Sequence, residues 1–296
     1  MATSTRPGPR IACELSQERV IAARLADDTS SIDSYTARNI AQGALVPRLA
    51  ETNVANGDAV RQAVTDALTT VASRSRDVIA ILPDGSARVY LLDFDSFPEK
   101  HQEADGVVRF RLNKVVPFEV EDAAVSFQSF RTDGRVRVVA AVVLKSVLAE
   151  YEGIFRDLGY SPGVVIPSSL AALGNVDSND PTMVIKSDAC TTTLSIVGGG
   201  ELLLFRTLEN ANGIAPNAEQ LMPDVHASLA FFEDSYQMRV DRILVGGLID
   251  AEQVGTALQA QTEVPVQNLV TARHVGSARA NFPVSTMVGV VGALLG

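Results

Sequence analysis

The residues best suited to chemistry sit in two short polar turns and one glycine pair. Ser16-Gln17-Glu18 separates the apolar runs Ile11–Leu15 and Arg19–Leu25, and residues 188–191 separate the runs 183–186 and 192–197. Thr191, Thr192 and Thr193 carry hydroxyls that can donate to a phosphate, although alternating threonines serve a strand equally well. Gly246-Gly247 closes the apolar run 242–245. It either lets a ligand lie close against the backbone or gives a tight strand-to-helix turn room for its backbone. Gly198-Gly199-Gly200 lies between two strand-like runs with no helix after it, so it reads as a hairpin turn and not a phosphate loop.

Other chemistries find little support. Cys13 and Cys190 form no CxxC pair and read as reduced thiols. His101, His226 and His274 show no HxxxH or HExxH spacing, which argues against a zinc hydrolase. Gly159-Tyr160-Ser161-Pro162-Gly163 fits GxSxG, but it follows a helix and leads into a strand, the reverse of a nucleophile elbow. Asp27-Asp28 and Glu121-Asp122 read as solvated loop acids.

The elements that must position the turns follow from periodicity. The strand-like runs Ile11–Leu15, Arg19–Leu25 and 34–40 open the chain. A helix over 58–73 is marked by Val60, Val64, Leu68 and Val71 on one face, with Asp58 as its cap. Strands Asp77–Leu82 and 87–94 precede a helix over 99–113, then strands 123–130 and 136–144 joined by the turn Thr132-Asp133-Gly134. A helix over 147–158, a strand over 164–166 and the helix Ser168–Leu173 complete the first half. The second half repeats the opening. Strands over 183–186, 192–197 and 201–208 lead into the helix Ala218–Tyr236, a strand over 242–245, and helix, strand and helix over 251–261, 264–266 and 285–295. Two halves that each begin with a β-meander and continue into alternating helices and strands predict a duplicated α/β unit. The turns at 16–18 and 188–191 then face one another across a cleft.

The 296 residues, 46% hydrophobic and 20% charged, suffice for two domains with a sizeable core. A net charge of −10 argues against a nucleic-acid binder. Residues 1–10 are polar and lack the apolar core of a signal peptide. The apolar stretch 283–296 is about five residues short of a bilayer span and reads as a buried final helix. The expected location is cytoplasmic, peripheral to a membrane through partners.

Three stretches carry a resemblance. The first runs from Leu82-Pro83-Asp84 through Val89-Tyr90-Leu91-Leu92, Phe97-Pro98-Glu99 and Val116-Pro117-Phe118-Glu119 to Phe127-Gln128-Ser129-Phe130. The second is Ser228-Leu229-Ala230-Phe231-Phe232 followed by Arg242-Ile243-Leu244-Val245-Gly246-Gly247, and the third is residues 191–196. In order and spacing they resemble the PilM group of type IV pilus assembly proteins. That resemblance implies an actin-like, ribonuclease H-like duplicated two-lobed fold. Residues 1–76 and 145–180 would form the first lobe, 77–144 a small inserted α+β subdomain, and 181–296 the second lobe. It also implies an ATP and magnesium site, with Glu14, Ser16, Gln17, Lys186, Asp188, Thr191, Thr192, Gly246 and Gly247 at the matching positions.

The departures from the family pattern are specific. ATP-binding members read Asp-Ile-Gly-Ser in the first loop. Here Glu14 is one methylene longer than aspartate, and Ser16 adds a side chain where glycine lets amides approach phosphate. In the second loop Lys186 replaces the magnesium-side carboxylate and Asp188 replaces the glycine. An anion about 4 Å from a bound phosphate would cost on the order of 1–4 kcal/mol. A Lys186–Glu14 contact across the cleft would plug the site in place of Mg-ATP. The expectation is a scaffold without ATP hydrolysis that grips the N-terminal tail of a PilN-like membrane protein near 77–144 and its border with the first lobe. The alternative is an ATPase whose lobe closure is nucleotide-controlled. A division protein of the FtsA kind is disfavoured, because no basic amphipathic helix ends the chain.

Overall fold

The structure, a computed structural model, describes residues 8–132, 134–275 and 282–296. Most of the polar N-terminal stretch 1–10, and Asp133 of the expected 132–134 turn, lie outside the described residues.

The apolar runs at the start form an antiparallel meander of β1 (Ile11–Leu15), β2 (Arg19–Leu25) and β3 (Ile32–Asn39). The helix α1 (Gly57–Thr70) follows. Its N-cap is Asn56, whose side chain accepts from the Ala59 amide, and not Asp58; Asp58 sits inside the first turn and pairs with Arg61. The strand β4 (Asp77–Leu82) lies parallel to β1.

After a turn over Asp84–Ser86 the chain leaves to build a three-stranded sheet. Its members are β5 (Arg88–Phe94), then α2 (His101–Leu112), β6 (Ala123–Thr132) and β7 (Arg135–Leu144), with strand order β5-β7-β6. Val108 and Leu112 of α2 pack on Leu92, Val138, Ala140 and Val142 of that sheet. The chain returns through α3 (Lys145–Asp157), β8 (Ser161–Pro167) and α4 (Ser168–Leu173). The first large sheet is then β3-β2-β1-β4-β8. Because β4 hydrogen-bonds to both β1 and β8, it belongs to the first lobe, and the small subdomain begins at β5 and not at residue 77.

The second half repeats the plan. Its strands are β9 (Thr182–Ser187), β10 (Thr191–Gly198) and β11 (Glu201–Glu209). They are followed by α5 (Ala218–Tyr236), β12 (Arg242–Gly246), α6 (Ala251–Thr262) and β13 (Val266–Asn268). The strand order β11-β10-β9-β12-β13 repeats that of the first sheet, with β1 matched by β9. A last helix, α7 (Val288–Leu295), follows a tight turn over Val284–Thr286.

Three apolar layers result. Ile11, Cys13 and Leu15 of β1 pack against α1 and α3. Met183 and Ile185 of β9 pack against α5 and α6. Between the sheets lies a third layer: Ala12, Ile79 and Ile81 from one, Val184 and Leu244 from the other, with α4 and α7. The 14-residue apolar stretch thus ends in a helix buried on all sides, as its lack of a polar face requires. Although the split at residue 181 places it with the second lobe, α7 packs on α4, β1 and β2 of the first. The contact is backbone-close: a Cβ on Gly292 would lie 2.0 Å from the Ala171 carbonyl oxygen.

Candidate functional site

Side chains alternate along a strand, and this alternation aims the site. Glu14 follows Ala12 by two residues, and Lys186 follows Val184 by two, so both project into the layer between the sheets near the ends of the paired central strands. Glu14 is buried and takes a hydrogen bond on Oε1 from the Ser168 hydroxyl of α4, while Oε2 has no partner. Burial pushes its carboxyl up from the ordinary 4.5, partly offset by the Lys186 charge and the Ser168 bond. The carboxyl lies against α7 at Gly289, where a Cβ would come within 2.5 Å of Oε2.

Lys186 is buried at 4% exposure, and its ammonium goes to two carboxylates. Nζ donates to Asp84 Oδ2 at 2.9 Å and to Asp188 Oδ2 at 2.7 Å. Asp84 comes from the first lobe, in the turn after β4, and is held there by the Ser169 amide at 2.8 Å and the Ser169 hydroxyl at 2.6 Å. The ion pair therefore ties the two lobes together at the floor of the cleft. Burial alone would lower the Lys186 pKa, but Asp188, Asp84 and Glu14 outweigh it and hold the ammonium above its ordinary value. Burial likewise opposes ionisation of Asp188. Lys186 and the amides of Thr191 and Cys190 win, and its carboxyl lies below the usual range.

Asp188 does more than neutralise Lys186. Its Oδ1 accepts the backbone N–H groups of Cys190 and Thr191, both at 2.8 Å. Successive turn amides of this kind form a ready anion site, and here the anion is part of the chain. The Asn210 side chain binds the Asp188 carbonyl and accepts from the Thr192 hydroxyl, which also meets Ser187. The Cys190 thiol donates to Gln17 Oε1, so the two predicted turns do face one another. Ser16 turns its hydroxyl back on its own loop, to the Arg19 carbonyl.

Gly246 and Gly247 are explained by crowding. Gly247 has φ +85°, and a Cβ there would lie 2.1 Å from the Ser187 carbonyl oxygen; a Cβ on Gly246 would meet Val288 at 2.3 Å. Room for backbone, the second of the two readings of this pair, is what the packing requires.

Six of the nine candidates, Glu14, Ser16, Gln17, Lys186, Asp188 and Gly247, line one cleft, whereas Thr191, Thr192 and Gly246 are buried and do not line it. Its inner chamber, lined by Glu14, Ser16, Gln17, Lys186 and Asp188 among others, holds only about 30 Å³, room for roughly one water. An outer cleft of about 670 Å³ opens beside Gly247. One expected contact is corrected: Glu14 and Lys186 form no ion pair, because Asp84 and Asp188 take the ammonium and Ser168 takes the glutamate. Residue matching to the two loops missed Asp84, Ser168, Ser169 and Gly289. Asp84 stood in the quoted Leu82-Pro83-Asp84 step, and its place after a buried strand was the available signal. Magnesium nucleotide fits these residues poorly: the second-loop carboxylate position is a cation, and the turn amides already hold a carboxylate.

No protein-family model matches the sequence, and no curated protein sequence matches it. Solved structures do match. The PilM–PilN type IV pilus biogenesis complex superposes with a TM-score of 0.77 at 16% identity, over 97% of this chain and 98% of that one. The cytoplasmic domain of EpsL, an inner-membrane component of the type II secretion system of Vibrio cholerae, gives 0.53 at 11% identity, over 96% and 92%. A Bacteroides thetaiotaomicron protein with an actin-like ATPase fold gives 0.54 at 12%, over 89% and 92%. With two sheets of repeated strand order, a small inserted sheet and these neighbours, the chain has the actin-like two-lobed fold, similar to PilM along nearly its whole length.

Proposed function

We propose that this chain is a non-hydrolysing scaffold of a type IV pilus or related secretion assembly at the inner membrane, and that it holds the cytoplasmic tail of a PilN-like membrane protein. The carrying observation is the Lys186–Asp84–Asp188 lock, in which a tethered cation and a tethered anion fill the floor of the cleft; in this reading they stand in for magnesium and phosphate. The full-length likeness to the PilM chain of a PilM–PilN complex supports the choice of partner. No helix among the described residues is long and apolar enough to cross a membrane; in this reading the PilN-like partner carries the attachment.

An extended tail would dock at the border of the small subdomain. β6 is an edge strand of ten residues with one side unpaired, and α3 of the first lobe packs beside it. Main-chain pairing supplies affinity in such additions, and alternate side-chain pockets supply specificity. The test is capture of the purified chain by an immobilised PilN-like N-terminal tail, with and without Mg-ATP. The reading predicts stoichiometric capture that nucleotide leaves unchanged. Capture that requires Mg-ATP, or none at all, overturns it.

A further inference from the structure

The outer cleft is left without an occupant by the reading above, and its lining is selective. Ile214 and Ile249, 68% and 64% exposed, are two of the three most exposed large apolar side chains among the described residues, and both line this cleft. Paired exposed isoleucines at the mouth of a recess mark a contact surface more than solvent-facing chance does.

The charges around them are one-sided. Glu18, Asp188, Glu219 and Asp250 line the cleft against a single cation, Arg19. Asp188 is consumed by the lock. Glu18, Glu219 and Asp250 are exposed and form no ion pair among the described residues. Besides Arg19, two helix N-termini reach the cleft and would draw an anion; that of α6 carries Asp250 at its N-cap and Glu252 in its first turn, and that of α5 is already satisfied. Asn217 accepts the Gln220 amide, Gln220 accepts the Asn217 amide, and Glu219 stands in the first turn. Deeper in, the inner chamber shares Glu18, Arg19 and Asp188 with this cleft and is lined by Glu14, 7% exposed, with its unpartnered Oε2. The outer cleft therefore favours positive charge, and its exposed isoleucines favour aliphatic contact.

We propose that this outer cleft docks a cationic, aliphatic segment of a partner protein, an extended peptide in which lysine or arginine alternates with leucine, isoleucine or valine. The aliphatic side chains cover Ile214 and Ile249, and the cationic heads meet Glu18, Glu219 and Asp250. The inference rests on the reading that nucleotide does not occupy the cleft. It gives the former nucleotide side of the fold a second partner surface, distinct from the β6 edge.

The experiment is fluorescence anisotropy on the full chain with three labelled peptides: lysine alternating with leucine, glutamate alternating with leucine, and lysine alternating with serine. The lysine–leucine peptide is expected to bind and the other two to bind at least tenfold more weakly. Glu219→Lys with Asp250→Lys is expected to weaken it at least tenfold, and Ile214→Ser with Ile249→Ser severalfold. The same charge reversal at Asp27 and Glu51, on the first lobe, is expected to leave it unchanged. Equal binding of the lysine–serine peptide, or equal loss from the first-lobe reversals, reduces the effect to nonspecific attraction by an acidic chain and overturns the proposal. Preference for the glutamate peptide overturns it too. Mg-ATP is added as a competitor in a separate arm. Displacement by ATP sinks the scaffold reading and this inference together. Absence of lysine–leucine binding with no ATP binding either sinks this inference alone.

Discussion

Replacing Lys186 by alanine removes the one cation that neutralises two carboxylates at the lobe junction. Asp84 is 4% exposed and held by Ser169 and cannot turn to water, so its charge stays buried when the ammonium goes. Breaking a buried pair by removing one partner costs about 3–5 kcal/mol, mostly for the charge left behind. With an unfolding entropy of roughly 2.1 cal/mol/K per residue, the 296 residues convert that loss into a fall in Tm of about 5–8 °C. Differential scanning calorimetry at pH 7 reads it. Combining Lys186→Met with Asp84→Asn and Asp188→Asn removes the charges together and should restore most of the lost stability. A Tm within about 2 °C of wild type for Lys186→Ala, or a triple variant no better than the single one, would refute the claim that this pair closes the cleft.

Other predictions concern the same layer and its supports. Glu14 has a raised folded-state pKa, so its contribution is full below the ordinary 4.5 and is lost as pH rises through the folded value. Tm measured from pH 5 to pH 8 should therefore favour Glu14→Gln over wild type by a margin that widens with pH, and parallel curves would contradict this. Gly247→Ala and Gly159→Ala both force alanine into positive φ, but only Gly247 has a backbone oxygen 2.1 Å from the new Cβ, while nothing lies within 4 Å at Gly159. Urea unfolding should show about 1–3 kcal/mol lost at Gly159 and a larger loss, or failure to fold, at Gly247. Tyr151 donates to Asn53 Oδ1 at 2.9 Å within a buried cluster that includes Ser86. Tyr151→Phe should cost about 1–3 kcal/mol, read by the same method.

Much of the fold was legible because it is written in short-range periodicity. The meanders at 11–40 and 182–209 and the helix Ala218–Tyr236 follow from apolar spacing and turn residues, and their repetition pointed to a duplicated unit with the actin-like strand order now seen in both sheets. The register of the site needed the structure, which sets Ala12 and Val184 in the layer between the sheets; counting by twos from them then puts Glu14 and Lys186 on the inter-sheet faces. What could not be read was pairing across the cleft. Lys186 and Glu14 looked complementary, yet Asp84, 102 residues from Lys186, takes the ammonium because the turn after β4 and the Ser169 bonds deliver its carboxylate there. The home of α7 was hidden for a similar reason. An apolar helix names no partner, and the close backbone contacts at Gly174, Gly292 and Gly296 seat it on α4. The start of the small subdomain was misplaced because β4 and β5 look alike in sequence, while only β4 pairs with β1.

The account stands most directly on whether the cleft takes Mg-ATP. Isothermal titration calorimetry of the purified chain with millimolar Mg-ATP, repeated on Lys186→Ala, gives the answer. The account predicts no saturable heat for the wild-type chain, since Lys186 and Asp188 supply the floor's cation and anion from within. A stoichiometric Mg-ATP isotherm with micromolar Kd for the wild-type chain would contradict it.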